Sequence, residues 1–262
     1  MRVVSFTPIK GESQRLPKKN TREFAGLVGG LSALKLRQLS RCSHIDNYVV
    51  NTDAPWVLIF GDTYLTEAKV LRREKKYTDR DLPTSGMHQM AIENLEKLGY
   101  NDKDVVVWAQ VTSPLFDEKL IDDCIQTYLS MAPRCLQTVT PINGFYIEKE
   151  TGKSLNWDRE KEGNWPRSQT MTSSVSLDNA LSIISFEEFR AGGDRMGANP
   201  YYYTSPGMSG WDIDTHDDFR VAEFLYNTRH GRKYEDNQLQ EQAHTGVLYY
   251  TGFGPLSPRS EQ

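Results

Sequence analysis

Apolar positions along the chain fall in short runs that alternate with longer segments of helical spacing. Val3, Val4 and Phe6 form the first run and read as a buried strand that Pro8 ends. Leu27, Leu31, Leu34, Leu36 and Leu39 recur at roughly helical spacing and predict a helix near residues 30–42. A turn and a strand follow, and Asp53 at the strand end reads as the N-cap of the next segment. Residues 55–70 predict a helix or loop and then a short strand, Ala68 to Leu71. The charged stretch 73–83 predicts an exposed loop. Met87, Met90, Ala91, Leu95 and Leu98 give an apolar face to a helix that Thr84 or Ser85 would cap. Val105 to Ala109 is an unbroken apolar run, too short for a helix and rich in β-branched residues, so it predicts a central parallel strand. Leu120, Ile121, Cys124, Ile125 and Leu129 mark an amphipathic helix over 117–129. Residues 135–148 predict strand and turn, and Leu181, Ile183 and Ile184 a further strand. A helix over about 216–228 should bury Phe219, Val221, Ala222, Phe224 and Leu225. This alternation predicts an α/β protein, a three-layer α/β/α sandwich with a mostly parallel sheet over residues 1–228.

Two stretches break the pattern. Residues 149–172 are polar but carry Trp157 and Trp165, which fits an excursion out of the main sheet and hints at an interface. Residues 229–262 are polar, then apolar and aromatic at Val247 to Tyr250, then rich in Gly, Pro and Ser, and form a separate tail with a mobile end. The chain is 38% hydrophobic and 25% charged with a net charge of −4, which fits a soluble globular protein and argues against nucleic-acid binding. No apolar run approaches the ~18 residues of a membrane span. The opening apolar stretch is too short for a signal-peptide core, so a cytoplasmic enzyme is expected. Three widely spaced cysteines without CxxC read as reduced thiols, and five histidines without HxH or HExxH spacing do not predict zinc.

Three stretches carry candidate chemistry. The first strand runs into a loop holding Lys10, Gly11, Ser13, Arg15, Lys18 and Lys19, closed by Asn20. A strand entering such a loop can present backbone N–H groups and cations to a polyphosphate, although neither GxxxxGK(S/T) nor GxGxxG occurs; a solvated basic loop is the alternative. The run at 105–109 ends in Gln110, Thr112 and Ser113, at the end of a central strand where open α/β sheets bind ligands. Asp212 and Asp214 alternate in an extended segment, so both carboxylates should point to one side, as Mg²⁺ requires when substrate phosphates supply its other ligands. Strand-end solvation and capping would explain the same pair. Thr215 should cap the last helix, with Asp217 and Asp218 in its first turn.

These stretches resemble, in order, the motifs of the CMP-sugar-acid synthetases (acylneuraminate cytidylyltransferases). TPIKGESQRLPKKN, Thr7 to Asn20, resembles IPARGGSKRLPxKN. DVVVWAQVTSPL, Asp104 to Leu115, resembles DxVxxLQPTSPLR, and DIDTHDD, Asp212 to Asp218, resembles DIDTxxD. Between them, Arg167, Gln169 and Asp178-Asn179-Ala180 are similar to RxRQ followed by NGA. The resemblance covers about residues 1–228. It implies a Rossmann-like nucleotidyltransferase fold, CTP and a sugar acid as substrates, and Mg²⁺ as cofactor. It also implies a small arm at about 149–172 that packs against a second subunit in a homodimer.

Residue by residue, the resemblance puts Lys19, with Arg15 and Lys10, on the triphosphate, beside Asn20 and the backbone N–H groups near Gly11 and Ser13. Arg72, or else a surface arginine pair, and Ser85 would lie near the cytidine. Gln110, Thr112, Ser113, Asn179, Arg167 and Gln169 would face the sugar acid, and Asp212 and Asp214 would hold Mg²⁺. The QVTSP block sorts with the nine-carbon, sialic-type branch rather than the Kdo branch, whose block is QGDEP. Departures at Gln14 and Phe116, where the family has cations, and at Ala180, where it has glycine, put the acceptor's identity in doubt. Two other readings stand beside this one. A sugar-1-phosphate pyrophosphorylase usually carries GxG(S/T)RL, whereas this loop has a single glycine. A non-catalytic nucleotide-binding homologue would fit Gln14 and Phe116 but not the retained Lys19, Asp212 and Asp214.

Overall fold

The computed structural model describes residues 1–231 apart from Thr66, Arg80, Asp81, Ser168 and Thr170. The expectations for the tail beyond Gly231, including Val247 to Tyr250, therefore lie outside the described residues. The chain runs β1 (Val3–Ile9), α1 (Gly30–Leu39), β2 (Asn47–Thr52), α2 (Pro55–Tyr64), β3 (Lys69–Arg72), α3 (Thr84–Lys97), β4 (Val105–Ala109) and α4 (Glu118–Met131). It continues with β5 (Cys135–Ile142), α5 (Arg159–Glu162), β6 (Ser174–Ser185), α6 (Phe186–Gly192), β7 (Tyr201–Thr204) and α7 (His216–Arg229).

The seven strands form one sheet in the order β3-β2-β1-β4-β6-β5-β7. Only β6 runs against its neighbours, so the sheet is mostly parallel as expected. Strand alternation splits the core between the two faces. Val3, Ile9, Val105, Val107 and Ala109 face one side, with residues of α1, α2, α4 and α7. Val4, Phe6, Val106 and Trp108 face the other, with residues of α3 and α6. Because β1 and β4 are covered on both faces, they read as unbroken apolar runs.

Three local expectations change, the first being that β1 runs through Pro8 to Ile9 instead of ending at Pro8. Pro83, not Thr84 or Ser85, occupies the N-cap of α3, and no side chain caps that helix. On α7, Phe219, Ala222 and Tyr226 pack against the core at spacings of three and four, while Val221 and Phe224 fall on the exposed side. Thr215 does cap α7, in a capping box with Asp218.

Beyond the sheet, β5 and β6 continue as a two-stranded ribbon in which Thr140, Pro141 and Ile142 pair with Ser176, Val175 and Ser174. The polar excursion leaves from this ribbon. Its tryptophans differ: Trp157 is buried against Phe145, while Trp165 stacks on Phe145 from outside and is 81% exposed.

Candidate active site

Strand order reverses between β1 and β4, the switch point where open α/β sheets bind ligands. A cavity of about 460 Å³ opens there, beyond the carboxyl ends of both strands. The loop after β1 is held by three ties. Leu16 is fully buried, Asn20 Nδ2 donates to the Lys10 carbonyl at 2.8 Å, and the Gly11 N–H donates to Asp53 Oδ1 at 2.7 Å. Asp53 is therefore not a helix cap; Ala54 holds that position. The Gly11 N–H is likewise committed to Asp53 rather than turned to a ligand. The approach is close there, since a Cβ would sit 3.1 Å from the Ala54 Cα and the backbone would have to give by a few tenths of an ångström.

Lys10, Ser13, Arg15, Lys19 and Asn20 all line the cavity. Lys19 Nζ donates to the Ile213 carbonyl at 2.5 Å and lies 3.4 Å from Asp214 Oδ1; Arg15 Nη2 pairs with the same oxygen at 2.6 Å. The first and third motifs, nearly two hundred residues apart, thus meet through one carboxylate. The 211–214 segment has no strand pairing, and the two aspartates have different surroundings. Asp214 faces the loop cations. Asp212 bonds to Thr112, and its Oδ1 is buried without a partner. Burial pushes the Asp212 carboxyl upward, and neighbouring Asp214 adds to this. A buried unpartnered oxygen beside a second carboxylate is a donor set that suits a hard cation. No group of three or more His, Cys, Asp or Glu suited to a metal occurs among the described residues.

On the far wall the arginine is Arg73, not Arg72. Arg72 closes β3 and is exposed. Arg73 is buried and lines the cavity. Its Nε donates to Asn51 Oδ1 at 2.9 Å and its Nη2 to the Asn51 carbonyl at 3.2 Å, while Nη1 is buried without a partner. Ser85 is exposed and outside the lining; Thr84, Met87 and His88 take that place. Arg73→Met should therefore raise the KM for an anionic substrate of this cavity by about tenfold or more, the loss of one charge-assisted contact, while Arg72→Met leaves it unchanged. Steady-state kinetics on the two variants check this.

At the end of β4, Gln110 and Thr112 line the cavity, but Ser113 is fully buried and outside the lining. The Ser113 and Phe116 carbonyls instead accept from Lys35 Nζ, at 3.1 and 2.7 Å. Gln38 Nε2 donates to the Pro114 carbonyl at 2.9 Å. Helix α1 thereby fixes the TSPLF turn from below. Asn179 is exposed, in a left-handed conformation (φ 58°), and reaches the site only through Arg195, whose Nη2 donates to its Oδ1 at 3.0 Å. Arg167 and Gln169 are exposed on the excursion, outside the cavity lining.

Arg195, Trp108 and His88 also line the cavity; Arg195 and His88 lie outside the motifs, and Trp108 reads in its motif only as part of the apolar strand. Arg195 sits in the aperiodic stretch GGDRMGANP, which offers no signal beyond an isolated cation among glycines. The cavity holds five permanent cations, Lys10, Arg15, Lys19, Arg73 and Arg195, against the carboxylates of Glu12 and Asp79. Such a balance selects anions. The thiols play no part: all three cysteines are buried, and burial pushes Cys42 up to about 12 and Cys135 up to about 11.

No family model matches the chain. A pseudaminic acid cytidylyltransferase of Campylobacter jejuni subsp. jejuni serotype O:23/36 (strain 81-176) is 22% identical over 234 residues, 88% of this chain and 98% of that protein. Its counterpart from serotype O:2 (strain ATCC 700819 / NCTC 11168) is 21% identical over the same shares. Over most of its length the chain is thus similar to cytidylyltransferases of a sugar acid. The fold agrees. A solved CMP:2-keto-3-deoxy-manno-octonic acid synthetase complexed with CTP superposes with a TM-score of 0.60 at 12% identity, covering 87% of this chain and all of that one. A 4-diphosphocytidyl-2C-methyl-D-erythritol synthase does so at 0.59 and 10% identity, covering 86% and 98%.

The three departures from the CMP-sugar-acid synthetase motifs fall in unequal places. Gln14 lines the cavity, so its lost charge is lost at the site. Phe116 is fully buried in the core beneath the TSPLF turn, so no cavity cation is missing on its account. Ala180 is buried too, and the left-handed residue is its neighbour Asn179, so the glycine-like conformation sits one position earlier.

Proposed function

We propose that this nucleotidyltransferase joins CMP from CTP to a nine-carbon, sialic-type sugar acid and releases pyrophosphate. The observation that carries this reading is the convergence of Arg15 and Lys19 on Asp214, beside an anion-selective cavity at the sheet's switch point. The curated relatives, named as cytidylyltransferases of pseudaminic acid, support a sialic-like acceptor. Lys19, Arg15 and Lys10 would neutralise the triphosphate, and Arg73 and Thr84 would line the cytidine side. Gln110 would hydrogen-bond the sugar. An acceptor hydroxyl attacks the α-phosphorus in line and gives up its proton to solvent, the bond from that phosphorus to the bridging oxygen breaks, and pyrophosphate leaves. In such transfers the protein contributes mainly positioning and charge neutralisation. Asp212 and Asp214 would hold Mg²⁺, which supplies charge stabilisation to the leaving pyrophosphate. Equilibrium binding tests the nucleotide assignment: CTP should bind more tightly than ATP or GTP, and equal binding of all three would contradict it.

A homodimer is part of the proposal. The β5–β6 ribbon and the excursion expose Ile147, Leu155, Trp165, Val175 and Leu177, an apolar surface of the kind that subunits cover. Val175→Asp together with Leu177→Asp should convert the dimer to monomer in sedimentation equilibrium. A wild type that is monomeric at all concentrations would contradict the dimer.

A further inference from the structure

Arg195 is the one cavity arginine seated on the β4–β6 side of the sheet. Its Nη2 donates to Asn179 Oδ1 at 3.0 Å and its Nη1 to Ser182 Oγ at 3.4 Å, and both acceptors are neutral. The guanidinium lies 5.2 Å over the Trp108 ring. Among the described residues, no carboxylate lies within ion-pairing distance of it. Arg15 and Lys19, by contrast, share Asp214. A partly buried cation without an ion-pair partner costs free energy, which an incoming anion offsets. Burial pulls Arg195 down to about 10, with only the field of Asp212 opposing.

The mount of Arg195 is stiff. Gln137 Nε2 donates to the Arg195 carbonyl at 2.5 Å, and Ser182 Oγ donates to Gln137 Oε1 at 2.7 Å, tying the arginine to β5 and β6. Next door, Asp178 accepts from the hydroxyls of Thr138, Thr140 and Ser205, which fixes the strand that carries Asn179. Ser182 pairs with Trp108 on β4, and Trp108 pairs with Phe6 on β1, so Arg195 is attached two strands away from β1. That is about 9–10 Å from the strand that feeds the loop cations.

We infer that Arg195 receives the carboxylate of the acid acceptor. The inference rests on the cytidylyltransferase reading above and assigns its acid-recognition residue. A guanidinium fork matches a carboxylate in two parallel hydrogen bonds, and Arg195 keeps donors beyond the two it has spent. The distance from β1 leaves the triphosphate to the loop cations and the carboxylate to Arg195. The stack over the buried Trp108 ring shields one face of the guanidinium from water and so strengthens the contact.

The test is steady-state kinetics with a nonulosonic acid and its C1 methyl ester at saturating CTP, on wild type, Arg195→Lys and Arg195→Met. Wild type should strongly prefer the acid. In Arg195→Met the KM for the acid should rise about 10- to 100-fold, the value of a charge-assisted contact, and acid-over-ester preference should collapse. Arg195→Lys should keep part of the preference, because charge persists without the fork. CTP binding should stay within about twofold of wild type in both variants, which also reports that they fold. Full acid-over-ester preference in Arg195→Met would overturn the inference, as would a rise in the KM for CTP alone. Wild-type turnover of a sugar 1-phosphate but of no acid would instead overturn the cytidylyltransferase reading, and the inference with it.

Discussion

Asp214→Asn is expected to abolish Mg²⁺-dependent turnover, by ~10³-fold or more if the lost charge stabilisation is worth several kcal/mol. The fold should remain. Asp214 is partly exposed, Asn is nearly isosteric, and the capping box that starts α7 is made by Thr215 and Asp218. The ion pairs to Arg15 and Lys19 involve partly exposed groups, so their loss should cost ~1 kcal/mol or less. The same variant should bind CTP without Mg²⁺ at least as tightly as wild type. Removing the carboxylate frees two cations that it otherwise occupies and removes a charge repelling the triphosphate. Loss of turnover with retained metal-free CTP binding is the joint signature. Turnover that survives the substitution would contradict the metal assignment.

Lys35→Met is expected to have the largest effect on stability, and the effect should depend on pH. Lys35 is wholly buried on α1 and donates only to the Ser113 and Phe116 carbonyls. Burial pulls its amine down to about 8. A neutral amine has two N–H donors, which matches its two acceptors. Between pH 8 and the unfolded value near 10.5, the unfolded chain holds a proton that the folded chain has released. Stability therefore rises with pH across that window and is flat, from this group, below it. The wild-type minus Lys35→Met difference in unfolding free energy should grow by ~3 kcal/mol across it, from 1.36 kcal/mol per pKa unit. Chemical denaturation at several pH values reads this. A pH-independent difference would contradict the buried, depressed lysine. Because the same bonds hold the turn after Gln110, Lys35→Met should also lower turnover.

Much of this architecture is legible in the chain because its strands are short, covered on both faces and rich in β-branched residues. The capping of α7 is legible too, since Thr215 and Asp218 act on their own backbone. What sequence alone misassigns are matters of facing. Arg72 and Arg73 are adjacent, and only the pairing of Thr52 with Arg72 shows that the strand ends on the exposed residue. An unbroken apolar run cannot say which face Trp108 joins. Phe116 stands where a cation is expected at the site, yet its apolar ring belongs in the core. Lys35 had a usable signal: it lies four residues from both Leu31 and Leu39 on the buried stripe of α1. Asp53, read as a cap, serves Gly11 instead, a contact over 42 residues that no local pattern records. Arg195 reaches the cavity only because β5, β6 and the turn before β7 come together.

The most direct test of the central claim is pyrophosphate release with Mg²⁺, run with CTP, UTP, ATP and GTP against nonulosonic acids, Kdo and sugar 1-phosphates. Products would be identified by phosphorus NMR. The account predicts release with CTP alone and with a nine-carbon keto acid, alongside an equal amount of a CMP phosphodiester. Release driven by a sugar 1-phosphate, or no phosphodiester from any acid, would contradict it.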